Sequence, residues 1–332
     1  MSFDKIKTEL LAPAGSYDAA RAAVNAGADA IYMGGPLFSA RAYAESSAEK
    51  VRGNEGGGNR NAGDSGDADG DMLLKALNFC HLRGVKVYMT LNTLLKEREM
   101  RMLKAYLKPY MEHGLDGVIV QDLGVMKLIL EEYPETELHV STQAVVTGPE
   151  YTGLLMKLGA KRIVLARELG LEEIKHIYEE TGAELEVFAH GALCYSYSGQ
   201  CLMSSFIGGR SGNRGRCAGT CRLPYEVFDD RGRQMNGKDD RYVLSMKDLN
   251  TVMRLREMIY AGVYSFKIEG RMKSPEYVAA AVSVYRKYLD AAMEADTYVN
   301  DIEADLRLLS EVFERGGHTD GYLNGVNGPE ML

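Results

Sequence analysis

One unit recurs along the chain: an amphipathic helix, a glycine that ends it, and a short apolar strand that finishes on polar residues. Strands are expected at residues 10–14, 30–34, 85–91, 117–121, 138–141, 162–166, 185–189 and 264–269. Gly27, Gly84, Gly114, Gly159, Gly182 and Gly262 stand where the helices should stop. The position after a helix often takes the left-handed conformation, which glycine enters without steric cost. Strands that alternate with helices pair in parallel. A series of eight predicts a closed (β/α)8 TIM barrel, which takes roughly 250 residues and fits within the 332 present. A doubly wound open sheet is the other arrangement of such units. The Gly-x-Gly-x-x-Gly fingerprint that marks many of those sheets is missing after the first strand.

Two segments interrupt the rhythm. Residues 46–71 are rich in Gly, Asp and Asn and nearly free of apolar side chains, so a mobile loop is expected there. Its acidic residues lack the ligand spacing and closing Glu of an EF-hand. The second interruption, residues 191–240, follows the seventh strand and should end before a helix that starts near Lys247. Residues 1–295 are read as the barrel and 296–332 as a C-terminal helical extension, with helices at 275–292 and 302–313. The tail is expected to lead on to a further C-terminal domain.

Cys80 stands alone, whereas Cys194, Cys201, Cys217 and Cys221 crowd into the second interruption. An odd cysteine count with a polar N-terminus argues against a disulfide framework and for a cytoplasmic protein. No apolar run is long enough to cross a membrane. The net charge of −8 gives no global attraction to nucleic acid or anionic lipid. The cysteine spacing is C-x6-C-x15-C-x3-C. Four soft thiolates suit an iron–sulfur cluster or zinc, and spacing alone leaves the metal open; free thiols or a scaffolding metal are the plainer readings. The first cysteine lies just past the end of the seventh strand, on the face where TIM barrels carry their active sites.

Arg210, Arg214, Arg216 and Arg222 fall between Gly199 and Tyr225, where there is no acidic residue. They suit phosphate or carboxylate recognition, or they neutralise a metal–thiolate centre. Other strand ends offer Asn92, Gln121, Asp122, Ser141, Gln143, Arg167, Glu168, His190, Lys267, Glu269 and Arg271. Glu168, His190 and Glu269 are the candidate proton-transfer groups, although a ring of ion pairs closing the barrel end would use the same residue types. Neither H-E-x-x-H nor G-x-S-x-G occurs, so no conventional protease site is recognisable.

The stretches ELLAPAGSYDAARAAVNAGADAIYMGG, GVKVYMTLNTLLKE, VLARELGLEEI, HGALCYSYSGQC, GNRGRCAGTCRLPY and FKIEGRMKSPEYVA resemble the collagenase-like peptidases of unknown catalytic type. The resemblance covers nearly the whole chain outside residues 46–71. Members of that family include proteins of tRNA 5-hydroxyuridine formation and of ribosomal-RNA cytidine hydroxylation. Relatives in oxygen-independent ubiquinone hydroxylation carry a four-cysteine 4Fe–4S cluster. The resemblance therefore implies that Cys194, Cys201, Cys217 and Cys221 hold a 4Fe–4S cluster, with zinc the alternative. It further implies an enzyme of RNA base hydroxylation acting on tRNA or rRNA. Arg167, Arg210, Arg214, Arg216, Lys267 and Arg271 would then bind RNA phosphate or a small carboxylate co-substrate. A peptidase is the second implied activity. A non-catalytic RNA-binding or assembly factor, its metal only stiffening a loop, is a third reading.

Overall fold

The computed structural model describes residues 7–35, 37–39, 71–294 and 301–332. Seven strands follow one another in parallel register: β1 (Glu9–Ala14), β2 (Ala30–Gly34), β3 (Lys86–Leu91), β4 (Gly117–Val120), β5 (Glu137–Val140), β6 (Arg162–Val164) and β7 (Glu184–Ala192). After a short strand β8 (Asp248–Asn250), β9 (Val263–Ile268) pairs in parallel with both β7 and β1 and closes an eight-stranded barrel. All eight expected strands are present. The expected loop at 46–71 lies outside the described residues, apart from Asp71.

Around the barrel run α1 (Tyr17–Asn25), α2 (Met72–His81), α3 (Glu97–Glu112), α4 (Leu123–Glu132), α5 (Pro149–Lys157) and α6 (Leu171–Thr181). Then follow α7 (Met203–Gly208), α8 (Leu255–Tyr260), α9 (Pro275–Met293) and α10 (Ile302–Val312). Their starts are chemically marked. Ser16 caps α1 through Ala19 N, and Asp71 and Asp122 each accept two amides at the starts of α2 and α4. All six helix-ending glycines have positive φ. At Gly262 a side chain would also collide with its neighbour, because an added Cβ would lie 2.1 Å from Tyr178 Cγ.

The main core lies between the strands and the helices, where Leu10, Met33, Leu77, Met89, Leu103, Val140, Phe266 and Leu289 are buried. Inside the barrel the filling is partly ionic. Arg162, 1% exposed, donates to Glu9 Oε1 at 2.6 Å, Glu184 Oε1 at 2.6 Å and Glu186 Oε2 at 3.2 Å. Tyr88 and Ser265 donate to Glu9 as well. Above this layer lies a small cluster of Leu11, Ala30, Tyr32, Tyr88 and Ile119.

The helix expected near Lys247 begins later, at Leu255. Residues 248–250 form β8 instead, antiparallel to the overhanging end of β7, with His190 opposite Asn250 and Ala192 opposite Asp248. The reason is the length of β7: its nine residues outrun the barrel, and β8 satisfies the backbone groups of the projecting edge. A short strand β10 (His318–Thr319) adds to β8 in parallel, so the C-terminal residues return to the mouth.

Candidate functional site

A cavity of about 410 Å3 opens at the C-terminal ends of the strands. Its floor is barrel and its roof is the segment after β7. The floor contributes Tyr32, Thr90, Ser141, Phe188, Lys267 and Arg271, and the roof contributes Cys194, Cys201, Cys217 and Cys221. The roof is moored at several points. Gln200 Nε2 donates to Gln143 O at 3.2 Å, and Leu94 N donates to Asn213 O at 3.1 Å. Arg222 reaches Leu193 O and Met246 O, both at 2.5 Å, which ties the two ends of the segment together.

The four thiols face one space. Burial pushes the Cys221 thiol up; Arg222 works against this, while Cys194, Cys217 and Cys201 add to it. Burial also raises Cys194, opposed by the Ser196 amide and Arg167. Gly219 N lies 3.4 Å from Cys217 Sγ, and Ser204 Oγ lies 3.9 Å from it. Among the described residues, no three His, Cys, Asp or Glu side chains are gathered into an ion-holding group.

The cationic floor is held in place by buried partners. Lys267 Nζ is 2.6 Å from Glu186 Oε1 and 4.4 Å from the centre of the Tyr32 ring. Burial pulls the Lys267 ammonium down and Glu186 opposes it, with the net direction downward. Arg271 Nη1 donates to Thr90 Oγ1 at 2.6 Å and to Ser39 Oγ at 3.2 Å. Arg167 lies flat on Phe188 at 3.7 Å, bonds Ser198 and stands 3.6 Å from Glu269 Oε2. Its Nε is buried without a hydrogen-bond partner.

Several site residues expected from the sequence lie elsewhere. His190 does not line the cavity. The pairing of β7 with β9 shifts register between Phe188 and His190, and this irregularity turns the imidazole to the helix side. There it stacks on Tyr277 at 5.9 Å and lies 5.3 Å from Tyr285 and 5.8 Å from His318. Burial pushes its pKa down to about 3, with His318 and Lys273 acting the same way. Glu168 is half-buried outside the cavity lining, its carboxyl raised by burial and its Oε2 unpartnered. Arg214 is a mooring residue, since it grips Glu99 on α3 at 2.7 and 3.1 Å and Leu94 O at 2.7 Å. Arg216 is exposed outside the lining, whereas Arg210 lines it and donates Nε to Arg216 O at 3.0 Å.

Arg315 lines the cavity too, although nothing in the sequence reading singled it out. It pairs with Asp248 at 2.9 Å, and Asp248 belongs to β8. The only signal was its position, a cation beside two glycines in the tail. Tyr32 and Phe188, whose rings lie under Lys267 and Arg167, read in sequence as ordinary core residues.

Comparison with known proteins adds a family and a set of relatives. The model described as Peptidase family U32 matches residues 15–54 and 59–332. The chain is 40% identical over 294 residues to the "23S rRNA 5-hydroxycytidine C2501 synthase" of Escherichia coli strain K12, covering 89% of this chain and 41% of that protein. It is 35% identical over 289 residues to the "tRNA hydroxylation protein P1" of Bacillus subtilis strain 168, covering 86% and 64%. It is 33% identical over 332 residues to a protein named "Collagenase" from Porphyromonas gingivalis, covering 96% and 73%. The chain thus spans under two thirds of the length of the first two. No described helix is long and apolar enough to cross a membrane.

Proposed function

The chain belongs to peptidase family U32, and we propose that it is an iron–sulfur-dependent enzyme of RNA base hydroxylation acting on tRNA or rRNA. The observation that carries this is the sharing of one cavity by four cysteines and a cationic barrel floor. Relatives named for rRNA and tRNA hydroxylation supply the chemical class. On this reading residues 191–240 are a cysteine-rich insertion after β7.

The donor set fits a four-thiolate centre. Cys194, Cys201, Cys217 and Cys221 would hold a 4Fe–4S cluster, with zinc as the alternative metal. Thiolates buried beside one another raise each other's proton affinity, and a metal with nearby cations offsets that charge. Arg222 and Arg167 act in that direction already. When bound, such a cluster would supply electron transfer or substrate coordination at the mouth.

The chain's own residues then bind and orient. Lys267 and Arg271, fixed by Glu186, Thr90 and Ser39, present positive charge to the floor and suit a small carboxylate co-substrate. Glu269, against Arg167, is the carboxylate at the cavity and the group placed to move a proton. Arg210 extends the positive charge to the rim, where it suits RNA phosphate.

Two measurements test this reading. Protein purified without oxygen should contain iron and sulfide, with a charge-transfer band that Cys217→Ala or Cys221→Ala removes. A zinc-only protein would overturn the cluster assignment. Nucleosides from a deletion strain, analysed by mass spectrometry, should lack one hydroxylated base. An unchanged set in a strain without compensating paralogues would overturn the RNA reading. Gelatin cleavage by contaminant-free protein would then favour the peptidase.

A further inference from the structure

The rim of the mouth is aromatic as well as cationic. Tyr195 directly follows Cys194 and Tyr197 directly precedes Ser198, and both of those neighbours line the cavity. Tyr195 is 50% exposed and Tyr197 46%. Tyr322 joins the same corner: burial raises its hydroxyl, and Glu168, Tyr197, Cys194 and Tyr195 act in the same direction. Two large rings, half in water beside one opening, are a surface that a partner could cover.

The charge around them narrows the choice of partner. Arg210 lines the same cavity as Cys194 and Ser198, and exposed Arg216 accepts from it through its carbonyl. Residues 194–225 contain four arginines and no Asp or Glu, although the chain carries −8 overall. Aromatic faces and guanidinium groups around one cavity match a polyanion whose own flat faces are uncovered. A nucleic-acid duplex keeps those faces stacked inside. The floor also lies deep, since Lys267 is 4% and Arg271 6% exposed. A base must leave its helix to reach them.

We propose that Tyr195 and Tyr197 form a stacking platform that takes an unpaired RNA strand across the rim and delivers one base into the cavity. This rests on the RNA reading given above and adds the strand's form and its docking residues. The rings replace the stacking that a base loses on leaving its neighbours. Arg210 and Arg216 track the phosphates beside them.

Fluorescence anisotropy tests the platform with the full chain. The probes are a labelled single-stranded RNA of about 12 nucleotides, in the size range of such sites, and the same strand annealed to its complement. The single strand should bind more tightly than the duplex. The double variant Tyr195→Ala/Tyr197→Ala should weaken single-strand binding roughly tenfold or more. Its salt dependence should be unchanged, because phosphate contacts remain. Tyr195→Phe/Tyr197→Phe should bind normally, which separates loss of the rings from loss of folding. Equal binding of duplex and single strand, or a folded alanine variant that binds normally, would overturn the proposal. So would stronger binding to phosphatidylglycerol vesicles than to RNA, lost in Tyr195→Ala/Tyr197→Ala, since the rim would then be a lipid surface. Complementing the deletion strain separates the two levels. If the alanine variant restores the missing base in full, the platform fails while the hydroxylation reading stands. If the deletion itself changes no base, the hydroxylation reading fails.

Discussion

The two ends of the barrel interior use the same residue types for different ends. At the bottom, Arg162 is surrounded by Glu9, Glu184 and Glu186, all within 3.2 Å. At the mouth, the lining holds Arg167, Arg210, Arg222, Lys267, Arg271 and Arg315 with one carboxylate, Glu269, while Glu186 and Asp248 reach Lys267 and Arg315 from outside the lining. Lys267 stands on the boundary, its ammonium held by Glu186 from the lower layer and its side chain lining the upper one. Charge balanced by neighbours specifies packing, because either partner alone is costly to bury. Charge of one sign gathered around a cavity implies a ligand of the other sign. The cations and the four thiols line the same space.

The largest effect expected from this comparison is at the bottom. Arg162→Met takes the guanidinium from buried Glu9, while Glu186 keeps Lys267 and Glu184 keeps Lys161, and should cost about 3–5 kcal/mol, read as a lower midpoint in urea denaturation. If the protein does not accumulate, Arg162→Lys gives the milder version, because it keeps one charge and loses the fork. A variant as stable as the parent would mean that the lower layer does not hold the barrel together.

A middle-sized effect is expected at His190, outside the barrel wall. Its folded pKa of about 3 lies below its ordinary value of 6.5, so the unfolded chain binds the proton more readily. The stability this contributes is complete above about pH 6.5 and is lost as pH falls toward 3, by at most ~1.4 kcal/mol per pH unit. Glu137, whose carboxyl is lowered from 4.5 to about 2, acts below that carboxyl's ordinary value. Between pH 6.5 and 4.5 the difference between the parent and His190→Gln therefore isolates the imidazole from Glu137. The variant should show the shallower fall, and parallel curves would remove His190 from the account. Buried His139, also lowered by burial, remains in both proteins and cancels in the difference.

The smallest effect on stability belongs to the rim. Arg210→Ala should leave the unfolding free energy within about 0.5 kcal/mol. It should lower the salt slope of RNA binding by about one. A stability loss comparable to that of Arg162→Met would erase the distinction between the two ends.

The eight barrel strands were legible because six of them follow a helix-ending glycine and all eight are short, mostly apolar runs between helical segments. β8 and β10 were not, because these short pieces stand outside the helix–strand repeat and exist only through pairing at the overhanging end of β7. At the site, the sequence located the cysteines and the strand-end cations, since their chain positions fix them at one end of the barrel. It could not separate Arg210 from Arg214, neighbours in one Gly/Arg-rich stretch. Their roles depend on whether Glu99, more than a hundred residues earlier, is within reach. His190 shows a second limit. A strand's two-residue alternation assigns its side chain inward, and one irregularity after Phe188 turns it out. Arg315 shows a third, because a tail residue belongs to the mouth only through the pairing of β10 with β8.

That last pairing sets a schedule for biosynthesis. The ribosome releases β1 to β7 and the cysteine-bearing segment well before Arg315 and His318 emerge. Until they do, Asp248 lacks its guanidinium partner and β8 lacks its neighbour on the open side. A nascent chain therefore displays its thiols at an unfinished mouth, and the wall containing Arg315 is set in place only after all four cysteines have left the exit tunnel.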